Sequence, residues 1–182
     1  MLRALLSLMI FISAAHAAAD DALWARLRDG GHVVLIRHAR APGTGDPAGF
    51  RVDDCATQRN LSAEGLAQAA AIGAAFRERK VPIGQVLSSR WCRALDTARA
   101  AFGKVEPEPA LDSFFSDSRR GAGQTERVRA LIKAAARDRG NLVLVTHQVN
   151  ITALTRLFPA EGEVIVLSAR DGGISIVGRM TP

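Results

Sequence analysis

The sequence contains no tyrosine, and aromatic residues make up only 5% of its 182 residues. Proteins that bind nucleic-acid strands stack the bases on aromatic side chains along a basic groove. No basic run is interleaved with such residues here, so nucleic acid is not the predicted partner, although the formal net charge is +6. The excess of positive charge favours an anionic partner of another kind.

Internal repeats, low-complexity tracts and linker-like segments are also missing from the chain. Hydrophobic residues make up 48% of it, which is enough for a sizeable core and excludes a largely disordered protein. The length is typical of one domain, and we predict a single domain over residues 20–182.

Long apolar runs are scarce, and the clearest one lies near the N-terminus. Residues 4–15 are apolar but too short to span a bilayer comfortably. Arg3 precedes them and the small residues Ala15 and Ala17 follow, as in a secretory signal peptide. We therefore expect residues 1–19 to be a cleaved signal that directs the protein to the periplasm or outside the cell, with no integral membrane segment after cleavage. An uncleaved anchor is the alternative.

Cysteine is nearly absent, since only Cys55 and Cys92 occur. Export into an oxidising compartment permits a disulfide, and these two residues are the one possible pair. We predict that they are bonded, and two unlinked thiols are the alternative.

Apolar strand-like runs alternate with helical segments along the rest of the chain. This alternation predicts a mostly parallel sheet with helices on both faces, and Asp171-Gly172-Gly173 predicts the turn of a C-terminal antiparallel hairpin. The expected fold class is therefore α/β, a single three-layer α/β/α domain. The predicted strands cover residues 32–38, 85–89, 142–146, 164–168 and 174–178, and the predicted helices cover 21–29, a segment behind Ser62, 91–102, 124–138 and 148–157.

Cationic and imidazole side chains follow three of the predicted strands. Ligands of such sheets bind outside the carboxyl ends of the strands, so we expect these side chains to meet at one edge. Arginine matches phosphate oxygens bidentately, and neutral histidine can attack phosphorus to form a covalent phosphoenzyme. Nearby arginines also disfavour the charged imidazole and keep its lone pair free. The residues are Arg37 and His38 after the first strand, Arg90 and Arg93 after the second, and His147 and Gln148 after the third.

Four segments carry these residues and the helix opening near them: LIRHAR at 35–40, RNLSAEGLAQA at 59–69, SSRWCRALDTA at 88–98 and VTHQVNI at 145–151. In this order they resemble the signatures of the histidine phosphatase superfamily, which includes the phosphoglycerate mutases. The resemblance covers essentially the whole chain after residue 19. It implies that His38 is the phosphorylated nucleophile, that Arg37, Arg93 and His147 bind the phosphoryl group, and that catalysis needs no metal or other cofactor.

The chain departs from the pattern of that family next to the motifs. Ala39 and Gln148 stand where the family usually has glycine, and Arg90 stands where proline is common. The small side chain of Ala39 still permits close approach of a phosphate. Gln148 and Arg90 are predicted to add a donor and a positive charge for substrate binding.

The proton donor departs from the pattern as well. The mutase branch uses a glutamate in an L-x-E setting, and the corresponding stretch here is Leu111-Asp112-Ser113. A general acid must reach the leaving oxygen, so we predict Asp112 as the donor, with Asp117 as the second candidate. If neither serves, water or a substrate group must do so, and slow turnover is expected.

Other histidines and arginines are interpreted as structural or solvated. A zinc site made of His32, His38 and His147 is not expected, because no local histidine pair occurs and the neighbouring arginines would repel a dication. His32 lies at the entrance of the first strand. The remaining loop cations, Arg40, Arg51 and Arg59, are interpreted as solvated charges.

These observations predict an exported, metal-independent phosphomonoesterase of the histidine acid phosphatase type that works through a phosphohistidine. Its expected substrate is a phosphorylated small molecule or an anionic glycolipid. Mutase activity is not expected, because glycolytic intermediates are not periplasmic. The alternative is a phosphate-ligand binding protein that kept the arginines and lost turnover.

Overall fold

A six-stranded sheet in the order β3-β2-β4-β1-β5-β6 forms the centre of the computed structural model, which describes residues 20–135, 139–169 and 173–182. The predicted signal peptide lies outside these residues. The strands are β1 Val33–Arg37, β2 Ile83–Ser88, β3 Glu106–Pro107, β4 Asn141–Thr146, β5 Val164–Ser168 and β6 Ser175–Met180. The helices are α1 over residues 20–29, α2 Ala63–Glu78, α3 Cys92–Phe102, α4 Gly121–Ala135 and α5 Gln148–Thr155.

The sheet is mixed, as the sequence predicts. Strands β3, β2, β4 and β1 run parallel, whereas β5 is antiparallel to β1 and β6 is antiparallel to β5. The predicted C-terminal hairpin strands are therefore confirmed, while residues 170–172 of its turn lie outside the described part of the chain. Helix α2 follows β1 on one face of the sheet and α5 follows β4 on the other, so the chain leaves these neighbouring strands towards opposite faces. A ligand crevice is expected at this switch point.

Helices cover both faces of the sheet, because neighbouring strand residues alternate between two hydrophobic clusters. In β1, Val34 and Ile36 pack with α1, α2 and α3, whereas Val33 and Leu35 pack with α4 and α5. Burial on both faces explains why the central strands are apolar without interruption. The predicted three-layer α/β/α class is confirmed.

The helix boundaries follow local signals, with small differences from the predicted ones. Ser62 caps α2 by accepting a hydrogen bond of 3.1 Å from the Gly65 N–H. Helix α4 begins three residues earlier than predicted, and Arg156, with a φ of 66°, caps the end of α5. The proline-rich stretch contributes the short edge strand β3, a position at which proline is tolerated.

The long loop over residues 39–60 is tied to α3. A disulfide joins Cys55 to Cys92, the first residue of that helix, which confirms the predicted bond. The Cys92 N–H also donates to the Gln58 side-chain oxygen at 3.0 Å. These contacts hold the loop against the end of β2. None of the helices in the described ranges is long and apolar enough to cross a membrane.

Candidate active site

A cavity of about 100 Å³ opens where β1 and β4 end, at the switch point of the sheet. Its lining comes from both strand ends, from the start of α3 and from two loops. It brings together five of the cationic or imidazole residues of the chain: Arg37, His38, Arg59, Arg93 and His147. The predicted convergence of distant motifs is therefore present in the structure.

His38 is held at the end of β1 by its backbone and its ring. Its N–H donates to the Thr146 carbonyl oxygen at 2.9 Å, which joins it to the end of β4. Its ring Nδ1 lies 2.9 Å from the Ala39 carbonyl oxygen, an acceptor only, so Nδ1 carries the proton and Nε2 is left free.

The His38 ring is neutral because it is buried, with an exposed fraction of 2%. Burial lowers the pKa of His38 to about 3, against the hydrogen bond to Ala39, and the charges of Arg93, Arg37 and Arg59 act in the same direction as burial. The arginines do favour the neutral imidazole, as expected, but desolvation contributes more.

His147 lies at the start of α5, with its ring centroid 5.4 Å from that of His38. Burial lowers the pKa of His147 well below its ordinary value, and the charges of the nearby arginines add to this effect. Its Nε2 lies 2.8 Å from the Ser89 hydroxyl oxygen, and that hydroxyl donates to Asp112 Oδ1 at 3.4 Å.

Three guanidinium groups surround the cavity. Arg37 Nη1 donates to the Pro159 carbonyl oxygen at 2.9 Å, and its buried Nε has no partner among the described residues. Arg59 donates through Nε to the Gly45 carbonyl oxygen at 2.7 Å. The Arg59 side chain therefore lines the cavity. This differs from the sequence-based interpretation of Arg59 as a solvated loop residue. Arg93, from the first turn of α3, is 3% exposed and completes the set.

Asp46 is the acidic residue of the cavity that sequence reasoning missed. Arg93 donates to its two oxygens at 2.6 and 3.1 Å, and the Trp91 Nε1–H donates to it at 3.0 Å. Although burial acts to raise it, the pKa of Asp46 is lowered by the ion pair with Arg93 and the bond from Trp91. The Asp46 carboxylate therefore binds Arg93, the same guanidinium group that the sequence predicts to bind phosphate.

Asp112 and Arg90 are placed differently from the sequence prediction, because they bind each other. Arg90 donates to Asp112 Oδ2 through Nε at 2.8 Å and Nη2 at 2.5 Å, and its backbone N–H donates to Oδ1 at 2.9 Å. Asp112 is fully buried, and neither residue lines the cavity. This geometry supports neither a proton-donor role for Asp112 nor substrate binding by Arg90. The pair instead fixes the turn between β2 and α3.

Of the remaining residues predicted from the sequence, one lines the cavity and the others lie outside its lining. Gln148 lines the cavity, and its amide donates to Thr152 Oγ1 at 3.3 Å. Asp117, the second candidate for the acid, binds Arg119 at 2.8 Å outside the cavity lining. His32 precedes β1 and so lies at the opposite end of that strand from His38. No group of three or more His, Cys, Asp or Glu residues that could hold a metal occurs in the ranges that the structure describes, and metal independence stays a prediction.

The chain thus combines a three-layer α/β domain with a cationic cavity at the switch point of its sheet. Residues 33–122 match the model of the histidine phosphatase superfamily (branch 1), and the match includes Arg37, His38 and Arg93. The chain belongs to the histidine phosphatase superfamily. His147 lies beyond the matched range, and its place in the site rests on the structure. A comparison with curated proteins found no match.

Solved structures of other proteins share this fold. The protein histidine phosphatase SixA, complexed with tungstate, is 17% identical with a TM-score of 0.62, over 83% of this chain and 97% of that one. A phosphoserine phosphatase from Entamoeba histolytica is 14% identical with a TM-score of 0.59, over 81% and 95%. The protein TTHB049 from Thermus thermophilus is 18% identical with a TM-score of 0.57, over 83% and 99%.

Proposed function

We propose that the protein is a phosphomonoester hydrolase that transfers a phosphoryl group first to His38 Nε2 and then to water. The observation that carries the proposal is the 2.9 Å contact of Nδ1 with the Ala39 carbonyl oxygen, which leaves Nε2 unprotonated in a cavity lined by three arginines. Membership of the superfamily supports the proposal. So do the structural neighbours named as phosphatases, one of which holds tungstate, a tetrahedral oxyanion.

In the first step Nε2 attacks phosphorus, so that a P–N bond forms while the P–O bond to the alcohol breaks. Positive charge develops on the ring, and the Nδ1–H bond to the Ala39 carbonyl oxygen strengthens as it does so. Arg37, Arg59 and Arg93 stabilise the charge on the transferring phosphoryl oxygens. His147 is neutral in this scheme, because burial lowers the pKa of its ring well below the ordinary value.

Asp46 is our candidate for the acid that protonates the leaving oxygen. The incoming phosphoryl group competes with the carboxylate for Arg93, and Asp46 loses its ion pair when the phosphoryl group wins. A monoanionic substrate brings one proton, which passes to the released carboxylate and from there to the leaving alcohol. In the second step Asp46 takes a proton from the attacking water as the P–N bond breaks, and inorganic phosphate leaves with that proton.

A panel of phosphomonoesters assayed with purified wild type and His38→Ala tests the function. We expect hydrolysis by the wild type, loss of about 10³-fold or more in the variant, and a trapped phosphoenzyme that is labile in acid and stable in alkali. Chelators should leave the rate unchanged. An acid-stable adduct on another residue would overturn the mechanism. Tight phosphate binding without hydrolysis at any pH would favour the binding protein instead.

We also propose that the protein acts in the periplasm or outside the cell. The Cys55–Cys92 disulfide supports this location, because such bonds persist in oxidising compartments. Expression of the full chain in a bacterial host, followed by fractionation and N-terminal sequencing, tests the proposal. We expect secreted protein that begins near residue 20, whereas protein retained in the cytoplasm with its first residues intact would contradict it.

A further inference from the structure

A second cavity, of about 310 Å³, adjoins the candidate active site. The two cavities share Gly45, Asp46, Ser113 and Phe115 in their linings. A group bound to a phosphoryl in the first cavity can therefore extend into the second without crossing protein. The size of the second cavity is in the range of pockets that bind small organic molecules.

Three aromatic side chains contribute to the walls of this second cavity: Phe50, Trp91 and Phe115. Phe115 lies between the two cavities, and 61% of its surface is exposed. Such a large exposed fraction is unusual for a phenylalanine. Phe50 and Trp91 lie on another part of the wall, with ring centroids 5.7 Å apart. The Trp91 Nε1–H bond to Asp46 fixes the indole, so this wall is preorganised.

The charge distribution restricts what the second cavity can bind. Within its described lining, Asp46 is the single charged residue, and the ion pair with Arg93 neutralises it. A leaving group that carries a carboxylate or a second phosphate finds no cation there.

We infer, on the basis of the proposed function, that the second cavity is the leaving-group subsite and binds an aromatic, uncharged alcohol. The substrate class is then aryl or arylalkyl phosphomonoesters, with the phosphoryl group on the arginines and the ring against Phe115. Small polar phosphomonoesters leave the aromatic wall unused and should react less efficiently.

Two phosphonates that cannot be hydrolysed test the subsite independently of turnover. Calorimetric titration of wild type should give about tenfold tighter binding of phenylphosphonate than of methylphosphonate, the factor expected for burying one face of a ring. Phe115→Ala should reduce this preference to about twofold. Phe158→Ala is the matched control, because Phe158 is 71% exposed and lines neither cavity, and its preference should equal that of wild type.

Kinetics with benzyl and methyl phosphate give the second measurement, since both substrates release simple alcohols of similar acidity. The kcat/KM ratio of benzyl to methyl phosphate should be about tenfold in wild type and should fall in Phe115→Ala. Equal affinity for the two phosphonates in wild type, or an unchanged preference in Phe115→Ala with native circular dichroism, would overturn the inference. Failure to hydrolyse any phosphomonoester would overturn the proposed function alone, because the phosphonate titration still reports on the subsite.

Discussion

The burial of His38 makes its ring suitable for the nucleophile role that we propose for it. An imidazole in water takes up a proton near pH 6.5, whereas burial lowers the pKa of His38 to about 3 and keeps its Nε2 lone pair free at neutral pH. The arrangement has a cost for the fold, since the unfolded chain can protonate this residue and the folded chain cannot. The charged or titratable groups that line the cavity with it are Arg37, Asp46, Arg59, Arg93 and His147.

The first prediction concerns stability as a function of pH. Between pH 6.5 and pH 3 the unfolded chain holds a proton at position 38 that the folded chain lacks, so stability is full above pH 6.5 and falls as the pH drops. The contribution of His38 from pH 6.5 to pH 5 should be about 2 kcal/mol. Urea unfolding at both pH values measures it in wild type and in His38→Gln, where the loss should be smaller by that amount. Identical pH dependence in the two proteins would contradict the prediction.

The second prediction concerns the competition between the Asp46 carboxylate and phosphate for Arg93. In Asp46→Asn the phosphoryl group no longer displaces a carboxylate from Arg93, so inorganic phosphate should bind about tenfold more tightly, while kcat for methyl phosphate should fall about 10²-fold or more. Without phosphate, the unpaired Arg93 charge should lower the free energy of unfolding by ~3 kcal/mol. Calorimetry, steady-state kinetics and urea unfolding measure the three effects.

Asp117→Asn is the control for this experiment. It makes the same chemical change at a carboxylate that binds Arg119 outside the cavity, and all three quantities should stay near their wild-type values. Weaker phosphate binding in Asp46→Asn would show that the carboxylate supports anion binding, contrary to our interpretation.

At the scale of elements, the packing of α2 on α3 positions the start of α3. The two helices are close because a glycine lies at their contact: a Cβ atom at Gly73 would come within 2.1 Å of the Ala101 carbonyl oxygen. Arg93 and Cys92 begin α3, so the spacing of the two helices also sets the position of the guanidinium in the cavity.

Gly73→Ala tests this packing. The added methyl group meets backbone atoms, which can move apart only with the whole helix, so the free energy of unfolding should fall by ~1–3 kcal/mol. Gly123→Ala in α4 is the matched control, because a Cβ there meets nothing within 4 Å and the helix should gain up to ~1 kcal/mol. Urea unfolding measures both. Equal effects of the two substitutions would show that the α2–α3 contact is not tight.

At the scale of the whole molecule, the disulfide links the long loop to the sheet through α3. Cys55 and Cys92 are separated by 37 residues, and their bond encloses helix α2 and strand β2 in one covalent loop. The loop it restrains supplies Asp46 and Arg59 to the cavity. The bond therefore constrains the site as well as the unfolded chain.

Removal of the bond in Cys55→Ser/Cys92→Ser should lower the free energy of unfolding by ~4 kcal/mol, the chain-entropy expectation for a loop of this length. Urea unfolding of wild type with and without a reductant should show the same loss. The reductant should leave the double variant unchanged, which separates reduction from other effects. Equal stability of the oxidised and reduced wild type would contradict the prediction.

The residues themselves determined the fold class and the centre of the site. Continuous apolar runs around Val34 and Val143 need burial on both faces, and their alternation with helices permits little besides a parallel sheet with two helical layers. Strand ends of a parallel sheet share one edge, so Arg37, His38 and His147 had to come together there. The pairing of Cys55 with Cys92 followed from their being the only two cysteines.

Which charged groups face the cavity depends on contacts between residues that are far apart along the chain. Asp112 and Arg90 look free in the sequence, but packing places them against each other and outside the lining. Asp46, Arg59 and Phe115 lie in irregular loops, where no periodicity relates a residue number to a direction in space. The stretch GTGDP at residues 43–47 was the one local feature of the sequence that pointed to Asp46. The direction of such side chains is set by contacts with residues far away along the chain, such as Arg93, and these exist only once the chain has folded.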